Sequence, residues 1–194
     1  MTRIIAGSSR GRRLTVPANG TRPTSDRVRE ALFSTITSTF LAEGRPWSAV
    51  RVLDLYSGSG ALGLEAASRG AGAVLLVEKA RPAVDVIRKN IEAVNLSQVA
   101  LLPMGVELLH QRTPFQSHEL VFADPPYAMT AAQLAALLQQ LFEDGWIALD
   151  AIVVVERPAN DRDSPFPPDW HEFDQRRYGD TCLWYGRSTA TTGE

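Results

Sequence analysis

Val52-Leu53-Asp54-Leu55-Tyr56-Ser57-Gly58-Ser59-Gly60-Ala61-Leu62-Gly63 decides how the rest of the chain is read. Its first half is apolar and strand-like, its second half opens a helix, and Gly58-x-Gly60-x-x-Gly63 lies at the junction. Glycines at a strand-to-helix turn let the backbone fold sharply and approach a ligand at the carboxyl edge of a sheet. Glu78 stands 20 residues after Gly58, at the end of the next apolar run. A carboxylate there can accept hydrogen bonds from ribose hydroxyls. A tight structural turn accounts for the glycines but leaves that acid without a reason. Asp54 closes the strand just ahead of the glycines, an unwelcome charge beside a pyrophosphate and a suitable one for a cationic ligand. No Gly-Lys-Ser/Thr follows, so the turn is not a nucleotide triphosphate loop. The stretch predicts a nucleoside cofactor.

Outward from this turn, short apolar strands alternate with amphipathic helices. Strands are expected at 51–55, 73–78, 99–103, 120–124 and 152–156, and helices at 61–69, 82–94, 106–110 and 131–142. Pro82 suits a first helical turn and Gly70 a helix end. Such alternation implies a parallel sheet covered by helices. After the turn-rich 157–169 come two strand-like runs, 170–177 and 181–187, joined by Tyr178-Gly179-Asp180 with no helix between. They predict an antiparallel hairpin. Upstream, Arg3–Ala6 and Arg13–Val16 flank Gly7-Ser8-Ser9-Arg10-Gly11 and read as a β-hairpin. Thr24 or Ser25 can cap the helix that follows, whose Val28, Leu32, Ile36 and Phe40 repeat every four residues. The fold class is α/β: a mostly parallel sheet with a C-terminal antiparallel hairpin and an N-terminal β-hairpin extension. That pattern resembles the class I (Rossmann-like) methyltransferase fold. The domain organisation expected is a basic hairpin arm and loop at 1–23, one body at 24–187 and a flexible tail at 188–194.

At 194 residues, 44% hydrophobic and 22% charged, the chain has the composition of a globular protein with a single core. No apolar run is long enough to span a bilayer, and Met1–Arg13 lacks the apolar segment of a signal peptide. One cysteine, Cys182, permits no internal disulfide, so a cytoplasmic, reducing compartment is expected. The histidines, His110, His118 and His171, lack ligand spacing with Cys182 and read as surface or loop residues, so no metal is expected. Net charge is −2, but its distribution is uneven. Residues 1–30 hold seven arginines against Asp26 and Glu30, a net of +5, whereas the remainder carries 13 basic and 20 acidic residues. A basic arm on an acidic body is the electrostatic footprint of a phosphate-binding segment. It is equally the pattern of a solvated terminal hairpin.

Asp124-Pro125-Pro126-Tyr127 directly follows the strand Leu120-Val121-Phe122-Ala123. An amino group on a nucleic-acid base is a poor nucleophile because its lone pair is delocalised into the ring. Acceptors that hold both N–H bonds turn that lone pair outward. The Asp124 carboxylate and the Pro125 carbonyl are such acceptors, and proline fixes the backbone between them. Tyr127 offers a flat face for an extruded base. A proline-stiffened strand end would explain the prolines and not the flanking acid and aromatic.

These motifs resemble those of known families. Asp54 to Gly60 is similar to motif I of class I methyltransferases, in which the matching acid lies near the ammonium of S-adenosylmethionine. The resemblance implies cofactor contacts at Asp54, Tyr56, Gly58, Gly60 and Glu78. Asp124 to Tyr127 resembles the Asp/Asn-Pro-Pro-Tyr/Phe signature of amino-methyltransferases, with Asp124, Pro125 and Tyr127 catalytic. Arg22-Pro23-Thr24-Ser25-Asp26-Arg27-Val28-Arg29-Glu30, with Arg3–Gly7, Gly11–Leu14 and Tyr178–Thr181, resembles the bacterial 16S rRNA guanine-N2 methyltransferase family up to about Arg187. This resemblance implies a guanine of small-subunit rRNA as substrate, within the assembled or assembling 30S subunit, and RNA contacts from Arg3, Arg10, Arg12, Arg13, Arg22 and Arg27. Relatives often carry an acid after the third core strand, near the cofactor adenine. Here the stretch is Leu102-Pro103-Met104-Gly105-Val106-Glu107, so backbone groups at Gly105 and Val106 are assigned that contact.

Three rival readings remain at this point. A DNA adenine-N6 or protein-glutamine methyltransferase would use the same motif, although the chain leaves little room for a DNA-recognition domain and the basic arm argues against a protein substrate. A nicotinamide-dependent oxidoreductase would use the glycine turn but has no need of Asp124–Tyr127. A non-catalytic RNA-binding module would need neither Asp124 nor Tyr127.

Overall fold

Thr2–Arg3 (β1) and Arg13–Leu14 (β2) pair antiparallel, Thr2 opposite Leu14 and Arg3 opposite Arg13. The N-terminal hairpin is thus present, with strands shorter than their sequence suggests. The reason lies in where its backbone groups go. Ile5 and Ala6 leave the ladder and donate their N–H groups to the Glu65 carboxylate at 2.7 and 3.1 Å. Ser8 and Ser9 donate to the Ser68 carbonyl and hydroxyl, and the Ser68 hydroxyl reaches the Ala6 carbonyl at 2.6 Å. A side chain at Gly7 would meet the Ser68 carbonyl oxygen at 1.8 Å, and φ there is +82°. Glycine is the residue that allows this approach.

The computed structural model describes residues 2–17 and 25–190. Two units divide the chain, 1–106 and 107–194. In the first, Asp26–Ala42 (α1) begins at Ser25, whose hydroxyl accepts the Val28 N–H. The alternative cap Thr24, the predicted contact Arg22 and most of the loop before them lie outside the described residues. Leu32, Phe33, Ile36 and Phe40 of α1 are buried, Val28 only half so. Then come Arg51–Leu55 (β3), Ala61–Ser68 (α2), Ala73–Val77 (β4), Arg81–Val94 (α3) and Val99–Leu102 (β5). β3 and β5 flank β4, all parallel, with Leu53 opposite Leu75 and Leu75 opposite Ala100. Near-continuous apolar runs such as that of β3 mark strands covered on both faces. Val52, Leu53, Leu55, Leu76 and Val77 are fully buried, with Leu64 of α2 and Ile87 of α3.

Glu65 is itself fully buried. Besides the two arm N–H groups it accepts from Arg69 Nε at 2.8 Å, and the Arg69 guanidinium lies 4.8 Å from the Phe33 ring centre. Glu65→Ala should therefore destabilise the protein by roughly 3–5 kcal/mol, because it strands a guanidinium and two backbone donors away from water. A urea melt with an unchanged midpoint would contradict that role.

The second unit contains His118–Ala123 (β6), Ala131–Glu143 (α4), Ile147–Pro158 (β7), His171–Tyr178 (β8) and Thr181–Arg187 (β9). β6 and β7 run parallel, with Val121 opposite Val153. β9 pairs antiparallel with both β7 and β8, so the predicted C-terminal hairpin is present. α4 starts with a reciprocal cap, the Thr130 hydroxyl accepting from Gln133 N–H and the Gln133 side chain from Thr130 N–H. β7 begins five residues before the apolar run at 152, across a kink at Asp150, whose φ is +59°. Between the two sets of elements, the predicted helix at 106–110 is a 3-10 turn, Val106–Gln111. Ser188, placed in a tail by its sequence, is fully buried and bonded to Ala148 and Ala151.

Candidate functional site

β3, β4 and β5 are parallel neighbours, so the loops that follow them leave one edge of the first unit's sheet. The predicted cofactor residues cluster on those three loops. Asp54 ends β3 at 3% exposure. Its Oδ2 accepts the Gly63 N–H at 2.9 Å, so the acid also tethers the first turn of α2. A Cβ on Gly63 would lie 2.3 Å from Leu76 Cδ2 and 3.1 Å from Asp54 Oδ2, which is why the third glycine is required. Burial pushes the Asp54 carboxyl up to about 7; the Gly63 hydrogen bond opposes this and the Glu78 charge adds to it. Oδ1 accepts no hydrogen bond from the described residues. A carboxylate on a residue this buried, with one oxygen left for a further donor, fits a ligand that brings its own positive charge.

The turn itself is held from several sides. Tyr56, Gly58 and Gly60 all have positive φ, at 58°, 58° and 76°. For the non-glycine Tyr56 that conformation costs about 1–2 kcal/mol, and such strain persists only where the surroundings impose it. Ser57 supplies part of the restraint: its N–H donates to the Val77 carbonyl, and its hydroxyl accepts the Val77 N–H at 2.9 Å. Glu78 supplies the rest, accepting from Gly58 N–H at 2.9 Å and from Ala80 N–H at 2.7 Å. The carboxylate expected at a ribose therefore also closes the glycine turn, and each oxygen keeps a lone pair for a hydroxyl. Gly105 and Val106 are buried just beyond β5.

Two residues of this unit escaped sequence reasoning. Ser57 was hidden because a hydroxyl between glycines reads simply as turn chemistry. Asn90 of α3, 1% exposed, donates to the Ser59 carbonyl at 2.8 Å. Its signal was available: Ala83, Ile87, Asn90 and Val94 form the buried stripe of α3, and a carboxamide there must find partners.

The predicted arginines separate into groups. Arg10, Arg12, Arg13 and Arg27 are exposed and form no ion pair among the described residues. Arg3 is exposed but pairs with Asp26 at 3.3 Å. Arg29, counted in the basic arm, is fully buried instead; its Nη2 donates to the Arg3 carbonyl at 2.8 Å and to Asp26 at 2.6 Å. It belongs to the core, since a desolvated guanidinium with a local acid is tied up structurally. His118 also departs from its surface assignment. It is buried on β6, donates from Nδ1 to the Trp146 carbonyl at 2.8 Å and stacks on the Trp146 ring.

In the second unit, Asp124-Pro125-Pro126-Tyr127 follows β6 directly and leads toward α4. Pro125 is buried, Asp124 is exposed, and Tyr127 is 73% exposed. The Pro126 carbonyl accepts the Met129 N–H at 2.9 Å, closing a turn that presents the two side chains.

A family model described as "Conserved hypothetical protein 95" matches residues 2–187. Over 171 residues the chain is 34% identical to the ribosomal RNA small subunit methyltransferase D of Escherichia coli K12, covering 87% of this chain and 80% of that relative. The solved structure of the Escherichia coli protein yhhF, provisionally described as a methyltransferase, superposes with a TM-score of 0.82 at 30% identity, covering 98% of this chain and 99% of that one. An RNA methyltransferase from Salinibacter ruber, solved with S-adenosyl-L-homocysteine, shares the fold at a TM-score of 0.64 and 18% identity over 89% of this chain and 97% of its own.

Proposed function

The chain belongs to the conserved hypothetical protein 95 family, and on that premise we propose that it methylates the exocyclic N2 amine of a guanine in small-subunit 16S rRNA. S-adenosylmethionine is the cofactor. The observation that carries the reading is the Asp124–Tyr127 turn at the end of β6, with a buried proline setting the backbone and an exposed acid and aromatic beside it.

The cofactor supplies a methyl group activated on a positively charged sulfur. Asp54, through its Oδ1, would hold the positive end; Glu78 would take the ribose hydroxyls; the backbone at Gly105 and Val106 would border the adenine. Tyr127 stacks on the flipped guanine. The Asp124 carboxylate and Pro125 carbonyl accept the two N2–H bonds, which rotates the nitrogen lone pair out of conjugation. Bound there, the cofactor would offer its methyl carbon to that nitrogen, with the sulfur as leaving group keeping the bonding pair. One N–H proton, made acidic by methylation, leaves to solvent. The barrier falls mainly through positioning. The substrate is the 30S subunit, assembled or assembling, and the enzyme works in the cytoplasm without a metal.

The test is transfer of labelled methyl to three substrates: small subunits lacking native base methylation, their naked rRNA, and duplex DNA. N2-methylguanine in the subunit lane, identified by mass spectrometry, is the expected product. Methyladenine in DNA, or a methylated protein, would replace this reading with its rival. The basic arm makes a further expectation. Arg12→Ala with Arg13→Ala should weaken binding to the same subunits and flatten the salt dependence by roughly 1.5 in log Kd per log salt, as two phosphate contacts require. An unchanged slope would move the RNA surface away from the arm.

A further inference from the structure

The carboxamide of Asn90 touches the arm as well as the glycine turn. Its Oδ1 accepts the Thr15 N–H at 2.8 Å, and its Nδ2 donates to the Thr15 carbonyl at 2.9 Å and to the Ser59 carbonyl at 2.8 Å. Both donors are used, and the orientation is fixed because an N–H faces one end and two carbonyls the other. Thr15 follows β2 and lies two residues beyond Arg13; Ser59 lies between the two turn glycines, Gly58 and Gly60. One buried side chain therefore links the segment carrying exposed Arg12 and Arg13 to the loop assigned to the cofactor. Ser9 Oγ reinforces the seam by donating to the Val94 carbonyl at the end of α3.

We propose that Asn90 is a positioning residue that couples RNA binding by the arm to cofactor binding by the glycine turn. The inference rests on the function proposed above. A cofactor that orders residues 56–60 fixes the Ser59 carbonyl, through it the Asn90 amide, and through that both backbone groups of Thr15. Arginines two and three residues upstream then meet phosphates with less freedom left to lose. Linkage makes the effect mutual: RNA on the arm strengthens cofactor binding by the same factor. A simple structural role for Asn90 predicts something different, because loss of packing would weaken both affinities and leave their coupling intact.

The experiment titrates full-length protein with naked small-subunit rRNA at one fixed salt concentration, with and without saturating S-adenosylhomocysteine. In the wild type, S-adenosylhomocysteine should tighten RNA binding about 5-fold or more. In Asn90→Ala that ratio should fall to near one, whatever happens to either affinity alone. Thr15→Pro offers a second route, since it deletes the N–H that Asn90 accepts while leaving Asn90 in place. It should abolish the ratio with full S-adenosylhomocysteine affinity retained. A wild-type ratio of one with both ligands bound overturns the coupling, as does a wild-type ratio that persists in either folded variant. Failure of the wild type to bind S-adenosylhomocysteine at all would overturn the proposed function, and the coupling with it.

Discussion

Asp124→Ala is expected to lower methyl transfer by about 1,000-fold or more, near 4 kcal/mol of transition-state stabilisation. Nothing else should change much. Asp124 is exposed at a loop, so thermal stability should move by no more than about 1 kcal/mol, the scale of one exposed polar interaction. Cofactor affinity should stay within about twofold, because the site at Asp54 and Glu78 is built without Asp124. Asp124→Asn separates two roles for the carboxylate. An amide oxygen can still accept an N–H bond, so a residue that works as an acceptor keeps measurable activity as asparagine. Single-turnover transfer to undermethylated small subunits is the measurement. An alanine variant at the wild-type rate would remove Asp124 from the mechanism, and an asparagine variant as inactive as alanine would make it a base.

Asp54→Asn should gain stability and lose the cofactor. The wild-type carboxyl is raised from 3.8 to about 7 by burial. Between those values the folded protein holds a proton that the unfolded chain has released. Stability contributed by this group is therefore full below about pH 4, falls as pH rises toward 7, and is flat above. Asparagine presents no charge to desolvate and still offers an oxygen to the Gly63 N–H. The variant, free of cofactor, should exceed the wild type by up to roughly 4 kcal/mol at pH 8 and by little at pH 4. Cofactor affinity should move the opposite way, down 10-fold or more at pH 8, because a charge-assisted contact is replaced by a neutral one. In the wild type, affinity should climb between pH 6 and 8 as Asp54 ionises. Urea melts across that range, paired with calorimetric titration of S-adenosylhomocysteine, read both effects. A destabilised Asp54→Asn at pH 8 would show that the carboxylate serves α2 more than any ligand.

Much of this was legible from pattern alone. The bounds of β3 and β9 coincide with their apolar runs because both strands are covered by neighbours along their whole length. β7 was foreshortened because Asp150, left-handed and polar, interrupts the run where the strand kinks. Local pattern failed most where a polar group takes distant partners. Arg29 counted as arm charge, yet its guanidinium is fully buried against the Arg3 carbonyl and Asp26. His118 sits where periodicity would tolerate a polar strand end, and only the Trp146 carbonyl and ring explain its burial. The same holds at the candidate site. Asp54, Gly58, Gly63 and Glu78 could be named from spacing, whereas the bonds that make Glu78 a clasp for Gly58 and Asp54 a tether for Gly63 depend on tertiary placement.

The arm's anchors have a consequence for how the protein is made. Glu65, Ser68, Asn90 and Val94, which fix residues 5–15, come 59 to 85 positions later in the chain. Synthesis runs from the amino terminus, so this hairpin is made before its anchors and gains the last of its clasps only after α3 has emerged. Until then a cationic segment of the nascent chain stays unclamped beside the ribosome that is building it, surrounded by the class of polyanion that the proposed function has it grip.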